Sequence, residues 1–239
     1  MKLSNRLEMV VSFVKPGESA ADVGTDHGHV PVELVRRGIV KRAYAMDVRK
    51  GPLSKAEENI AAARMRDKIE TRLSDGVQKL SAGEAESVII AGMGGELVIH
   101  IMDEGRHVWD TVEQWVLSPH SELHKVREWL ENNSFKIVKE DMLFEEGKFY
   151  TVMDVRKADI QDVVSHEETA ASEKRYRYGV YLKETKNQVF LDFLKDEEAK
   201  LLTLKANLEK QAVQSERAKE SLKEVEDKLS LNREVQNEM

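Results

Sequence analysis

The chain contains no cysteine. Disulfides and thiolate metal sites are therefore excluded, no metal site is expected, and the composition fits a reducing compartment such as the cytoplasm. Proline is scarce as well: there are four, at positions 16, 31, 52 and 119, and none afterwards. Glycine thins out in the same direction, with Gly179 standing alone beyond residue 158, where Glu, Lys, Leu and Ala take over. That shift predicts a second module made of helices. No apolar run approaches the roughly 20 residues of a membrane-spanning helix. The N-terminal apolar stretch is broken by Arg6 and Glu8 and ends at Lys15, too short and too charged for a secretion signal, so no membrane partner is expected. An excess of positive charge is also missing, since the formal net charge is −7. Basic character is confined to local clusters at Arg36, Arg37, Lys41 and Arg42, at Arg49, Lys50 and Lys55, and at Lys174, Arg175 and Arg177.

Hydrophobic spacing organises what is present. Leu3, Leu7, Val10, Val11 and Val14 mark one stripe of a short helix that stops before Pro16-Gly17. Short apolar runs at 19–24, 42–48, 68–74, 87–92 and 114–119 read as buried strands. Segments of helical spacing at 30–37, 52–63, 96–104 and 122–132 alternate with them. Parallel strands need crossover connections, so this alternation predicts a parallel sheet covered by helices on both faces. Two extended stretches, 135–144 and 148–156, flank Glu145-Glu146-Gly147 and read as a hairpin. The expected fold is thus α/β and Rossmann-like, with a seven-stranded, mostly parallel sheet closed by an antiparallel hairpin over residues 1–157. A helical coiled-coil domain is expected over 158–239.

In that second module, Phe190, Leu194, Glu197, Leu201, Leu204, Leu208, Gln211, Ser215, Ala218, Leu222, Val225 and Leu229 follow each other at four- and three-residue steps. This is a heptad seam. Its polar middle predicts two helices folding back near Val213 to Glu216. The apolar stripe then needs a cover, within the chain of a monomer or across a dimer formed through the tail.

The chemistry-bearing residues fall at the predicted strand ends. The first strand runs into Asp22-Val23-Gly24-Thr25-Asp26-His27-Gly28, a close-approach turn in which glycine lets backbone meet a ligand. Its D-x-G-x-x-x-G spacing resembles the first motif of class I methyltransferases, with Asp26 in place of a middle glycine. An aspartate there is unwelcome beside a pyrophosphate but can pair with the ammonium of a methionine moiety. The second strand ends at Asp47-Val48, where an acid takes ribose hydroxyls, and the third closes on Ser74-Asp75-Gly76, where an acid can accept from an adenine amino group. Acid, acid and glycine turn in register point to a nucleoside cofactor. The fourth strand ends Gly92-Met93-Gly94-Gly95, which leaves an open backbone surface.

The segments DVGTDHGHVPVEL, AMDVRKGPLSKAEENI, RLSDGV, VIIAGMGGEL and REWLENNSFKIVKED, in that order, resemble the bacterial tRNA (adenine-22-N1)-methyltransferase family over residues 1–157, with the helical tail similar in type. The resemblance implies a Rossmann-like catalytic domain, S-adenosyl-L-methionine as methyl donor and tRNA as substrate. Two places depart from the pattern: Leu117-Ser118-Pro119-His120 stands where the family suggests Leu-Gln-Pro-Asn, and Gly28-His29-Val30 replaces Ala-Tyr-Leu.

On that resemblance, the cofactor set is Asp22, Gly24, Thr25, Asp26, His27, Gly28, Asp47, Val48, Asp75, Gly76, Gly92, Met93 and Gly94. The reaction needs alignment of a ring-nitrogen lone pair more than proton abstraction. Asp26 and His27 are the candidates for stabilising the cationic ring. Arg6, Arg36, Arg37, Lys41, Arg175 and Arg177 are candidate contacts to the RNA backbone. Two other readings stay open at this point: an NAD-type oxidoreductase with an atypical glycine turn, and a noncatalytic adaptor that uses its coiled coil.

Overall fold

The computed structural model describes residues 3–158, 170–212 and 215–239. The predicted Leu3-to-Val14 stripe becomes α1 (Asn5–Phe13), which Ser4 caps by accepting the N–H of Leu7. The strand and helix alternation resolves into β1 (Gly17–Val23), α2 (His29–Arg36), β2 (Val40–Asp47), α3 (Lys50–Ala62), β3 (Ile69–Leu73), β4 (Ser87–Met93), α4 (Gly95–Glu104), β5 (Gln114–Pro119) and α5 (Leu123–Asn132). The hairpin follows as β6 (Phe135–Glu145) and β7 (Lys148–Lys157). These elements lie within a few residues of the positions predicted from spacing.

The seven strands form one sheet in the order β3-β2-β1-β4-β5-β7-β6. The first five are mutually parallel, and β7 runs antiparallel to both β5 and β6. The hairpin therefore doubles back: β7 pairs with the parallel sheet and β6 is left at the edge. Strand order reverses between β1 and β4, and α/β sheets of this kind open a crevice at the carboxyl ends of the strands on either side of such a switch.

Period-two alternation divides the core between the two faces of the sheet. Ala21, Val23, Val88, Ile90, Trp115 and Leu117 pack on one side with Val98, Met102, Val126 and Leu130 of α4 and α5. Ala20, Ile89 and Val116 pack on the other with Val10, Val11, Leu34 and Ile60 of α1, α2 and α3. Both faces of the central strands are buried, which is why those strands read as continuous apolar runs.

Helices α6 (Ala170–Tyr178), α7 (Tyr181–Glu184), α8 (Gln188–Ala212) and α9 (Glu216–Glu238) form the tail. α8 and α9 lie antiparallel, as the bonds from Asn232 to Glu197 and from Lys205 to Glu226 require. The fold-back falls where the polar seam placed it, although Val213 and Gln214 themselves lie outside the described residues. The apolar stripe is covered within the chain: Leu201, Val225 and Leu229 pack together, and Phe190, Leu194 and Val235 pack with Met142 of β6. One seam position departs from expectation, because Leu204 is 45% exposed. Glu197, a polar member of the predicted seam, joins three helices by accepting from Arg177, Tyr178 and Asn232.

Candidate active site

Register brings the strand tips level. Val23 lies opposite Met46 on one side and Ile90 on the other, and Asp47 opposite Leu73. Backbone bonds then fix the turns: the N–H groups of Gly24 and Thr25 both donate to the Met46 carbonyl at 2.8 Å, and that of Ser74 donates to the Asp47 carbonyl at 3.0 Å. A cavity of about 420 Å³ opens over these tips. A smaller one of about 220 Å³, between α5, β6 and the tail, receives nothing from the tips of the parallel strands.

Of the predicted cofactor set, Gly24, Asp26, Asp47, Val48, Asp75, Gly76, Gly92 and Met93 line the larger cavity. Gly24, at φ +72°, lies directly under the Met93 side chain, where a Cβ would collide with the methyl group. Gly92 has φ +81° and faces Arg6 and His120, so its missing side chain keeps the mouth open. Asp47 is buried and accepts the Arg49 N–H at 2.7 Å, a bond that fixes the carboxylate at the β2 tip. Two apolar side chains stand bare at the same cavity, Val48 at 60% and Leu97 at 47% exposure. Apolar side chains left in water beside a pocket suit a flat hydrophobic ring.

The remaining members of that set are not brought to the lining. Asp22 is buried beneath the turn, and burial, with Asp26 and Asp47 nearby, pushes its carboxyl up to about 6. Thr25 is fully buried, and a hydrogen bond from its side chain to Asp22 works against that rise. Gly28 starts α2 at φ +68°, close to Ala56, and Gly94 starts α4 next to Ser121. His27, paired with Asp26 as a catalytic candidate, contacts it at 3.3 Å but stacks on His29 at 5.5 Å and does not line the cavity. These residues shape the turn from behind.

The candidate RNA contacts separate in the same way. Arg6 lines the cavity. Arg36 and Arg37 close α2 and pair with Glu33, Arg37 also with Glu8, while Lys41 pairs with Glu18 at the start of β2. These three stand at the end of the sheet opposite the strand tips. Arg175 pairs with Glu131 and Arg177 with Glu197, tying the tail to α5 and to itself.

In the sequence His120 stands out only as a departure from the family pattern, at a position near the expected methyl-transfer face; the structure places it in the cavity wall beside residues from remote segments. It follows β5 and donates its backbone N–H to the Met93 carbonyl at 2.8 Å. Its ring lies 5.8 Å from that of Tyr150, edge on, and Arg6 sits over the Tyr150 ring at 5.4 Å. Burial and the Arg6 charge hold the His120 imidazolium below its ordinary pKa range. Nη1 of Arg6 is buried and lacks a hydrogen-bond partner among the described residues. Among those residues no cluster of three or more His, Asp or Glu side chains could hold a metal ion, and no helix is long and apolar enough to cross a membrane.

Residues 3–153 match a family model described as a methyltransferase domain. The tRNA (adenine(22)-N(1))-methyltransferase of Bacillus subtilis is 30% identical over 235 residues, covering 98% of this chain and 97% of the relative. A crystal structure of the B. subtilis m1A22 tRNA methyltransferase superposes with a TM-score of 0.85 at 30% identity, covering 98% of this chain and 99% of the other. A Streptococcus pneumoniae structure, described as a candidate tRNA (m1A22) methyltransferase in complex with S-adenosyl-L-methionine, gives 0.83 at 33% identity, covering 98% and 100%.

Proposed function

The chain belongs to the methyltransferase-domain family and, within it, to the tRNA (adenine(22)-N(1))-methyltransferases, and from that premise we propose that it transfers a methyl group from S-adenosyl-L-methionine to ring nitrogen N1 of adenine 22 in tRNA. The methyltransferase relatives described above favour this reading over the oxidoreductase and adaptor readings.

The observation that carries the reading is the convergence of Asp26, Asp47 and Asp75 on one cavity flanked by bare Val48 and Leu97. The residues present fit the donor. Asp47, held by Arg49, takes the ribose hydroxyls. Val48 and Leu97 bracket the adenine ring, and Asp75 accepts from its amino group. Asp26 neutralises the methionine ammonium through a charge-assisted bond. Gly24 and Gly92 keep the backbone close and the passage clear.

When bound, the donor supplies a methyl carbon on a sulfonium, which the N1 lone pair takes as the carbon–sulfur electron pair leaves with sulfur. No proton has to be removed, so the protein's own contribution is alignment and charge. Holding two reactants in an aligned geometry can lower a barrier by about 7–11 kcal/mol. The test is to incubate unmodified tRNA with the protein and labelled donor, then map the modified nucleoside. The expected product is 1-methyladenosine at position 22, with no label in a tRNA carrying guanine there. Absence of incorporation into either RNA would overturn the reading.

A further inference from the structure

A second cavity, of about 610 Å³, adjoins the first, with Arg6 and His120 in the lining of both. It is walled by the hairpin, through Lys148 and Tyr150, and by α8, through Phe193, Asp196 and Lys200. Resting on the methyl-transfer reading, we propose that this second cavity receives the target adenine nucleotide, its base stacked on Tyr150, its phosphates met by Lys148 and Lys200, and its N1 edge presented between His120 and Arg6 to the donor.

The shared wall is the first reason. Two reactants must meet at one atom, so their sites have to adjoin, and Arg6 and His120 stand on both sides of the junction. The aromatic content is the second. A base drawn out of its stack needs a replacement π-face. Tyr150 offers one beside His120 and Arg6, and a separate pair of rings in contact, Phe149 and Phe193, lines the same cavity. The third reason is the polar chemistry at the junction. The buried, partnerless Arg6 Nη1 is a donor awaiting an acceptor, and nucleotides supply ring nitrogens and ribose oxygens. His120, held neutral, presents an acceptor for the exocyclic amine.

Charge follows the same layout. Transfer leaves the base carrying the positive charge that the sulfonium loses. The Tyr150 face and the Asp196 carboxylate, which also pairs with Lys200 at 2.7 Å, are on the side where that charge arrives. Because Phe193, Asp196 and Lys200 come from α8, the helical tail is part of the substrate site and does more than pack on the sheet.

The experiment uses the full chain and reads two quantities separately: the dissociation constant for S-adenosylhomocysteine by calorimetry, and kcat and KM for unmodified tRNA. An inactive wild-type protein would sink the methyl-transfer reading and this inference with it. With an active wild type, Tyr150→Ala is expected to lose about ten- to a hundredfold in kcat/KM. Tyr150→Phe keeps the ring and should stay within about threefold, and both should bind S-adenosylhomocysteine within about twofold of wild type. Lys200→Ala should raise KM with kcat unchanged, as loss of a uniform phosphate contact does. Should Tyr150→Ala fail to fold, Tyr150→Leu keeps the bulk without the π-face and carries the same expected loss. Full activity in the variant lacking the ring, or a loss that phenylalanine does not rescue, overturns the proposal.

Discussion

The backbone N–H of Arg6 donates to the Glu145 carboxylate at 3.1 Å, and that of Asn5 to its other oxygen at 2.7 Å. An acid at the end of β6 thereby caps the first turn of α1, where a negative charge is favoured by the helix dipole. The bond places the Arg6 guanidinium over the junction of the two cavities.

Removing that cap should therefore act at a distance. Glu145→Ala is expected to cost about 1 kcal/mol of stability, the size of a lost N-terminal cap. That corresponds to a Tm lower by about 2–4 °C in a chain of this length. Methyl transfer to tRNA should fall further than affinity for S-adenosylhomocysteine, because Arg6 borders both sites. An unchanged Tm and an unchanged rate together would show that Arg6 is positioned by other contacts.

Asp47→Ala should weaken S-adenosylhomocysteine binding without unfolding the sheet. A hydrogen bond to a charged group contributes about 1.5–3 kcal/mol, so the dissociation constant should rise about ten- to a hundredfold in a calorimetric titration. An unaltered constant would contradict the placement of the ribose at the β2 tip.

Asp22 predicts a pH dependence. Burial and the neighbouring acids raise its folded-state pKa to about 6, above the ordinary carboxylate value of about 3.9. Between those two values the folded chain binds a proton that the unfolded chain has released, so this residue's contribution to stability declines as pH rises from about 4 to about 6 and then levels off. Asp22→Asn removes the titration. In urea unfolding from pH 4 to pH 7, wild type should lose about 2 kcal/mol relative to the variant. A difference between them that stays constant across that range would refute the shifted pKa.

Gly179 joins α6 to α7, and its substitution should be costly. It adopts φ +71°, and a Cβ there would collide with the Glu140 carboxylate and crowd the Arg127 guanidinium at 3.2 Å. Arg127 and Glu140 form a buried pair at 2.5 Å, and Arg127 also donates to the carbonyls of Tyr176 and Arg177. Gly179→Ala should destabilise by at least about 2 kcal/mol, from backbone strain together with displacement of that pair. A melting curve that coincides with wild type would contradict this account.

The parallel half of the fold was legible because its signals are local. Short runs buried on both faces, separated by helical spacing, mark strands and crossovers without reference to anything distant. For the same reason Asp47, Asp75 and the Gly24 turn could be placed at strand ends. The tail was legible in outline, since a polar interruption in a heptad pattern marks a fold-back. It was misread at Leu204, because spacing alone does not tell how far along the pair the seam remains covered.

Arg6, His120 and Tyr150 were not legible as a group. They come from α1, the end of β5 and β7, and none sits in a pattern that points to the others. His27 shows the converse: adjacent in sequence to a cavity-lining aspartate, it is turned by φ +60° at its own position onto His29.

The sequence by itself determined the periods, the strand-end acids and the glycines that permit tight turns, because these depend on neighbours along the chain. Only the tertiary structure decided that β7 would insert beside β5, that α1 would be pinned to the hairpin by Glu145, and that α8 would wall a second cavity. Those outcomes rest on contacts between remote segments, whose partners are chosen by packing and charge once the sheet has formed.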